Sequence, residues 1–459
     1  MVLNYQYYEQ APIILIIIAF IFIKMIASDK TETTNIEFKK LQINYFIPFF
    51  LATFADWIQG PYVYKVYKDY GYDEKNIALL YIAGFASSMV FGTVVGSVAD
   101  KFGRKLICML YGIAYSICCL TKFSPDFYTL LYGRVFGGIA TSILFSGFES
   151  WYVNEHLHFY MFPVEWLNFT FARATFGSGL FAIVSGFIAH IFADTLDFGA
   201  ISPFAVAVPF LMGTSVYIFF KWDEHYDPKA NKSTLLSSSM FSSLKFLFSD
   251  PCLFTLGIVQ SIYEGIMYTF IFAWTPVLEV LSPPLGLVFS CFMISLMIGS
   301  KIYSIMISKY FTPESMLSVT LYTSTFSIAI ITVLTSSALD SYRFLSTNLC
   351  FVAFLFYEVS VGMYCPVTGY LRGRIIPEKA RATITNWLRV PTNMITCFTL
   401  IFIKNEDAEG SKLRAIHSVF VVCTLCLVLC LVMTFCFKKL YVEKKFSSDS
   451  NKDIQLNAS

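Results

Sequence analysis

The chain has 459 residues, of which 56% are hydrophobic and only 14% charged, with a formal net charge of +2. Soluble domains carry about a quarter charged residues, so a mean hydropathy of +0.63 excludes an ordinary soluble enzyme and implies a polytopic protein whose constant partner is the lipid bilayer. The near-neutral balance also excludes a nucleic-acid partner.

The first apolar run, Ile13 to Ile23, is preceded by one charge, Glu9, and followed by Lys24, Lys30, Lys39 and Lys40. No small-residue cleavage site follows, so it reads as a retained span with its N-terminus outside the cytosol. Beyond a polar linker, apolar stretches recur near 44–64, 77–98, 106–121, 127–150, 167–191 and 201–220. A second set follows near 252–278, 284–307, 315–335, 344–370, 380–403 and 413–437. Each approaches the roughly 20 residues that a helix needs to cross a bilayer. The longest polar interruption, Lys221 to Lys245, separates the sets. The expected fold is an all-α polytopic membrane protein with two six-helix bundles plus one extra N-terminal transmembrane helix. Residues 1–43 hold that helix and its linker, 44–220 the first bundle and 221–248 a cytosolic central loop. Residues 249–440 hold the second bundle, and 441–459 read as a disordered cytosolic tail.

Loop charge sets the expected orientation. Alternate loops carry Lys101, Arg104 and Lys105; then Lys221, Lys229, Lys232 and Lys245; then Lys309; then Arg372, Arg374, Lys379 and Arg381. The tail adds Lys438, Lys439, Lys444 and Lys445, whereas the opposite loops mix cations with acids or carry acids alone, as at Asp194 and Asp197. Cations accumulate on the cytosolic side, which places the C-terminus there, most simply at the plasma membrane. The glycosylation sequons at Asn168, Asn231 and Asn457 then fall in cytosolic or membrane positions, and a glycan on Asn231 would invert the arrangement.

Cofactor and metal chemistry find no support. The twelve cysteines are scattered through apolar runs; Cys423, Cys426, Cys430 and Cys436 share one helix, where Cys acts as a small hydrophobe. His156 and His158, beside Glu155, read as a solvated loop. No nucleophile elbow, phosphate loop or zinc-binding His-Glu-x-x-His occurs, so no enzyme is expected.

The stretch from Ile77 to Lys105 is a glycine-bearing apolar span that ends in Asp100-Lys101-Phe102-Gly103-Arg104-Lys105. Gly84, Gly92 and Gly96 lack the bulk that holds a neighbouring helix away. The spacing of Gly96, Asp100, Gly103, Arg104 and Lys105 resembles the loop between the second and third helices of major facilitator superfamily transporters. Gly133-Arg134-Val135-Phe136-Gly137-Gly138 is similar to the Arg-and-glycine motif of the fourth helix, for which a structural or gating role is expected. Asp100 and Arg104 belong to the same gating class.

Ionisable groups within apolar spans are costly and mark function by default. The first and fourth helices of each set bear one acid each: Asp56, Glu149, Glu264 and Glu358. The fifth helices hold Arg173 and Arg389, and the second helix of the second set holds Lys301. The resemblance implies that such helices surround a central cavity. Arginine presents a planar fork of donors suited to a tetrahedral oxyanion and stays charged when desolvated. Contact with substrate and pairing with an internal acid both fit Arg173 and Arg389, and Lys301 fits either a point charge in the site or a snorkelling side chain. Asp56 and Gln59 lie before Gly60-Pro61, where a kink is expected; Gln260 and Glu264 are their counterparts. Either acid fits a coupling proton or a counter-charge to arginine. Glu149 and Glu358 fit coupling or gating.

Longer stretches resemble one branch of the superfamily, the molybdate-anion transporters: Ala55-Asp56-Trp57-Ile58-Gln59-Gly60-Pro61-Tyr62, Leu144-Phe145-Ser146-Gly147-Phe148-Glu149-Ser150-Trp151, and Asn386-Trp387-Leu388-Arg389-Val390-Pro391. Thr170-Phe171-Ala172-Arg173-Ala174 and Gln260-Ser261-Ile262-Tyr263-Glu264 extend the match, from about Tyr45 to Val432. The loop from Gly299 to Lys309 is a poor copy of its first-set counterpart. This resemblance implies secondary active uptake of molybdate, a small tetrahedral oxyanion, by alternating access, with a possible coupling proton. A facilitator for a neutral organic solute and a non-transporting receptor on the same fold are the alternatives.

Overall fold

The computed structural model describes residues 8, 10–19, 35–224, 244–376, 378–401 and 412–457, and among these every regular element is helical. A short apolar helix, α1 (Gln10–Ala19), is followed by α2 (Ile36–Gln59), a 3-10 turn at Gly60–Tyr62, and α3 (Val63–Asp69). Then come α4 (Glu74–Phe102), α5 (Arg104–Thr121), α6 (Phe127–Asn154), α7 (Glu165–His190) and α8 (Ser202–Lys221). After a short α9 (244–249) the second set is α10 (Pro251–Leu278), α11 (Leu285–Lys309), α12 (Pro313–Leu334), α13 (Arg343–Ile375), α14 (Glu378–Ile401) and α15 (Lys412–Asn457).

Ten of the described helices are long and apolar enough to cross a membrane. Two expected spans, α2 and α14, are not among them, because Gln42, Asn44 and Asp56 dilute the apolar part of the first and Asn386, Arg389 and Asn393 that of the second. Of the extra N-terminal span, α1 supplies a helix of ten residues, apolar after Gln10, and residues 20–34 lie outside the described ones. The ring of Tyr8, just ahead of α1, packs edge-on against Phe351 of α13 at 5.1 Å.

Helix starts follow local chemistry. Asn35 accepts hydrogen bonds from the Glu37 and Phe38 amides, so α2 begins within the polar stretch that composition reads as linker. Asp73, Asp126 and Asp250 cap α4, α6 and α10 in the same way. Each such cap is worth about 1 kcal/mol. The 3-10 turn at Gly60-Pro61 realises the expected kink. Several C-terminal helix ends overrun the sequence boundaries, α13 and α15 the furthest. The α13 helix continues to Ile375, placing Arg372 and Arg374 on helix rather than loop. The α15 helix runs to Asn457, over residues that composition reads as tail; extending an existing helix avoids the cost of nucleation.

The two sets pack alike. In the first, neighbours follow the order α4, α6, α5, α8, α2, α7; in the second, α11, α13, α12, α15, α10, α14. Those lists match position for position, as parallel repeats require. The halves meet through α4 against α14 and α7 against α11, two pairings that the repeat symmetry interchanges. At one of these crossings, a Cβ on Gly286 would stand 2.4 Å from the Gly186 carbonyl oxygen, so only glycine permits it. Expectation fails for Gly92 and Gly96, where an added Cβ would meet Ser142 Oγ at 3.7 Å and nothing within 4 Å, respectively. The close crossing of α4 lies elsewhere, with the Gly84 carbonyl against Gly138 of α6.

Side-chain contacts between the halves gather toward the end of the bundle that holds Gly71. Tyr64 and Tyr81 pack edge-on against Phe272 at 5.7 and 5.2 Å. Tyr62 Oη donates to Asp194 at 2.7 Å and accepts from the Gly286 amide at 3.3 Å, so one hydroxyl links both halves.

Candidate functional site

Three polar groupings emerge, one against each flank of the first bundle and one at the seam. On α2, Asp56 accepts from Tyr115 Oη of α5 at 2.5 Å. One turn on, Gln59 is buried; its amide donates to the Ala55 carbonyl, and its oxygen accepts from Cys119 Sγ at 3.6 Å. Both residues therefore bond within the first bundle.

Nearer the Gly103 end, Arg173 of α7 donates to Gln42 Oε1 of α2 at 3.1 Å. Gln42 in turn donates to Thr170 Oγ1, which shares a hydrogen bond with Tyr152 of α6. Arg173 is exposed, and so is Glu149 of α6. These two do not pair with each other: the guanidinium is oriented by an amide, and Glu149 lies instead near Tyr45.

At the seam, the Arg389 guanidinium of α14 lies over the Phe145 ring of α6, 4.9 Å from its centroid. Across from it on α10 stands Glu264, beside Gln260 and Tyr364 and within electrostatic reach of both Arg372 and Arg389. Arg372 is the residue that sequence reasoning missed, because an apparent loop cation turned out to be the last-turn residue of α13. Its spacing of seven residues from Cys365 puts those two on nearly the same helix face.

Two further candidates stand apart. Glu358 of α13 is buried, with Tyr263, Tyr357 and Cys365 as its electrostatic neighbours and no hydrogen bond or ion pair among the described residues. Lys301 of α11 is half-buried, likewise with no such partner among the described residues.

Arg134 takes a structural position. Its Nε donates to the Leu80 carbonyl at 3.1 Å, and its guanidinium lies over Tyr81, so it pins α6 to α4. The Gly103 loop is organised by a residue far along the chain. Glu224 accepts from the Arg104 amide at 3.2 Å and the Lys105 amide at 2.6 Å, capping α5 where exposed N–H groups favour an anion. Gly103 has φ of +100°, and a Cβ there would lie 2.9 Å from Glu224 Oε2. The side chain of Asp100 lies outside the described residues. Among the described residues no cluster of three or more His, Cys, Asp or Glu could hold a metal ion.

Two repeated six-helix bundles meeting at a seam lined by arginine and carboxylate define a polytopic transporter of the major facilitator fold. A family model described as sugar transporters with 12 TM matches residues 8–355. A molybdate-anion transporter of Takifugu rubripes is 35% identical over 401 residues, covering 82% of each chain. That of Xenopus tropicalis is 35% identical over 403 residues, covering 87% of each. Among solved structures, a proton-dependent oligopeptide transporter matches with a TM-score of 0.66 at 12% identity, over 87% of this chain and 98% of its own. A D-xylose–proton symporter matches at 0.63 and 12%, over 86% and 97%. The chain belongs to the molybdate-anion transporter family of the major facilitator superfamily, a family of membrane transporters rather than enzymes.

Proposed function

We propose that this chain carries molybdate into the cytosol by alternating access, with Arg389 at the seam and Arg173 of α7, nearer the Gly103 end, as the two cations that hold the oxyanion. The observation that carries this reading is Arg389 itself, a guanidinium that bridges the two halves over Phe145 and faces Glu264. A cation at that position changes its surroundings whenever the halves rock, as a substrate site in such a carrier must. Names of the relatives support molybdate as the substrate. Gln260 and Glu264 complete the second-half side of the site, and Lys301 adds positive field. Asp56 and Gln59, bonded to α5, hold the first-half side in shape.

Loop charge supports a cytosolic Gly103 end, and packing at the Gly71 end then corresponds to an inward-facing state. Glu358, buried with no hydrogen bond or ion pair among the described residues, is the proposed site of the coupling proton. The membrane is proposed to be the plasma membrane. Uptake of labelled molybdate at nanomolar supply, in cells with and without the chain, tests the reading. Identical uptake in both rules it out.

A further inference from the structure

Where α7 meets α11 near the Gly71 end, four groups form one hydrogen-bonded chain across the two halves. The Gly286 amide donates to Tyr62 Oη at 3.3 Å, and Tyr62 Oη donates to Asp194 Oδ2 at 2.7 Å. His190 Nδ1 lies 2.8 Å from the same carboxylate oxygen and donates to it, since an ionised carboxylate only accepts. Tyr62, Asp194 and His190 belong to the first half, and local chemistry places each of them. Pro61 fixes the 3-10 turn that presents Tyr62, a residue only 1% exposed. Asp194 follows His190 by four residues in the π-helical turn Ile191–Thr195 that ends α7, a widened turn of a kind that recurs at functional sites. The second half contributes a backbone N–H. Gly286 is the second residue of α11, and Pro284 ahead of it supplies no side-chain cap. The Leu287 and Val288 amides turn back to the Pro284 carbonyl at 3.0 and 3.1 Å, whereas the Gly286 amide takes its acceptor from the other bundle. A Cβ on Gly286 would stand 2.7 Å from the His190 amide nitrogen, so only glycine brings α11 this near.

We infer that Tyr62, Asp194 and His190 form the latch of the Gly71-end gate, and that this end opens when Tyr62 releases the Gly286 amide. The inference rests on the alternating-access reading and adds the residues that govern one of its two gates; it requires neither molybdate nor a particular orientation in the membrane. Donating to a carboxylate polarises the Tyr62 hydroxyl and strengthens its oxygen as an acceptor. The negative charge behind it also suits the N-terminus of α11, where backbone N–H groups leave a partial positive charge. Release strands no ion, because Asp194 travels with the first half and is already exposed to solvent. The Gly286 amide then opens onto the widening mouth, where water takes the place of Tyr62. His190 and Asp194 are therefore positioning residues that aim Tyr62, and Tyr62 is the group that crosses between the halves.

Hydrogen–deuterium exchange of the full chain in lipid nanodiscs, without substrate, reads both ends at once. Alternating access couples them, so opening at the Gly71 end closes the Gly103 end. Tyr62→Phe keeps the ring and removes the hydroxyl. It is expected to raise exchange in residues 285–290 about fivefold, the equivalent of one lost hydrogen bond, and to lower it in residues 167–176 at the Gly103 end. Asp194→Asn, which keeps an acceptor but loses the charge, and His190→Ala are expected to move both segments the same way by less. His190→Asn, which keeps a donor where Nδ1 stands, is expected to restore the wild-type pattern. Melting curves confirm that each variant is folded. Faster exchange confined to 285–290, with 167–176 unchanged, reduces Tyr62 to a helix cap and overturns the latch. Wild-type exchange at both ends in Y62F overturns it too. Excess molybdate added to the wild type separates the readings: if it moves the two ends in opposite senses and Y62F does not, alternating access stands and the latch falls. If Y62F moves the ends oppositely and labelled molybdate is not taken up, the latch stands and the substrate reading falls.

Discussion

The guanidinium of Arg389 lies 4.9 Å from the centroid of the Phe145 ring, and this contact joins α14 of the second half to α6 of the first. Cation–π attraction of this kind is worth about 0.5–1 kcal/mol when exposed and about 2 when desolvated. Phe145→Leu retains apolar volume and removes the ring face. It is expected to weaken molybdate binding about fivefold, whereas Arg389→Gln, which removes a charged donor set, costs ten- to a hundredfold. Binding isotherms on the purified chain check the order. Should F145L bind as tightly as wild type, the ring contributes only packing.

Arg173 offers a second test, because its orientation depends on one neutral partner. Gln42 accepts its hydrogen bond at 3.1 Å and is itself anchored to Thr170 at 2.8 Å. Gln42→Leu frees the arginine without removing its charge, and is expected to raise KM for molybdate two- to fivefold with little change in kcat. Arg173→Gln raises KM at least tenfold. Initial uptake rates over a range of molybdate concentrations separate the two effects, and equal KM values for R173Q and wild type remove Arg173 from the site.

The helical spans and the repeat were legible because each depends on local composition: apolar length, Gly-Pro kinks and Asx caps are written where they act. Asp56, Glu149, Glu264, Glu358, Arg173 and Arg389 were legible for the same reason, as charges standing in apolar runs. Their partners were not. Tyr115 and Gln42 bond to Asp56 and Arg173 from other helices, so no spacing in the chain announces them. Arg372 was hidden differently: it looked like one of several loop cations, and the extra turn of α13 makes it a helical residue.

Glu224 shows the same long-range dependence at the Gly103 loop, 119 residues from Lys105 whose amide it accepts. The sequence carries a faint signal in Trp222, which stacks on Trp151 with centroids 3.6 Å apart and so fixes the segment that bears Glu224. Glu224→Ala removes the cap from α5, a loss of about 1–2 kcal/mol by analogy with other N-caps, and Glu224→Gln loses less. Gly103→Ala should cost more than either, since it meets both a positive φ and a 2.9 Å approach. Thermal melts in one detergent rank the three variants. A G103A melt matching wild type contradicts the geometry of this turn.

Lys122 directly follows α5, at the Gly71 end, and is fully buried. Its ammonium donates to Tyr67 Oη, and its carbonyl accepts from Tyr70 Oη at 2.5 Å. Cys118, Cys119 and Arg134 also lie near it, none of them a carboxylate, and burial pushes its pKa from an ordinary 10.5 down to about 7. Between those values the unfolded chain binds the proton and the folded chain does not, so stability rises with pH across that window. The contribution is complete above the unfolded value and is lost as pH falls through about 7. Lys122→Met removes the titrating group, and its melting temperature is expected to exceed that of wild type at pH 6 and to vary less with pH above 7. Melting curves from pH 6 to 9 make the comparison, and parallel slopes for wild type and K122M exclude Lys122 as the source.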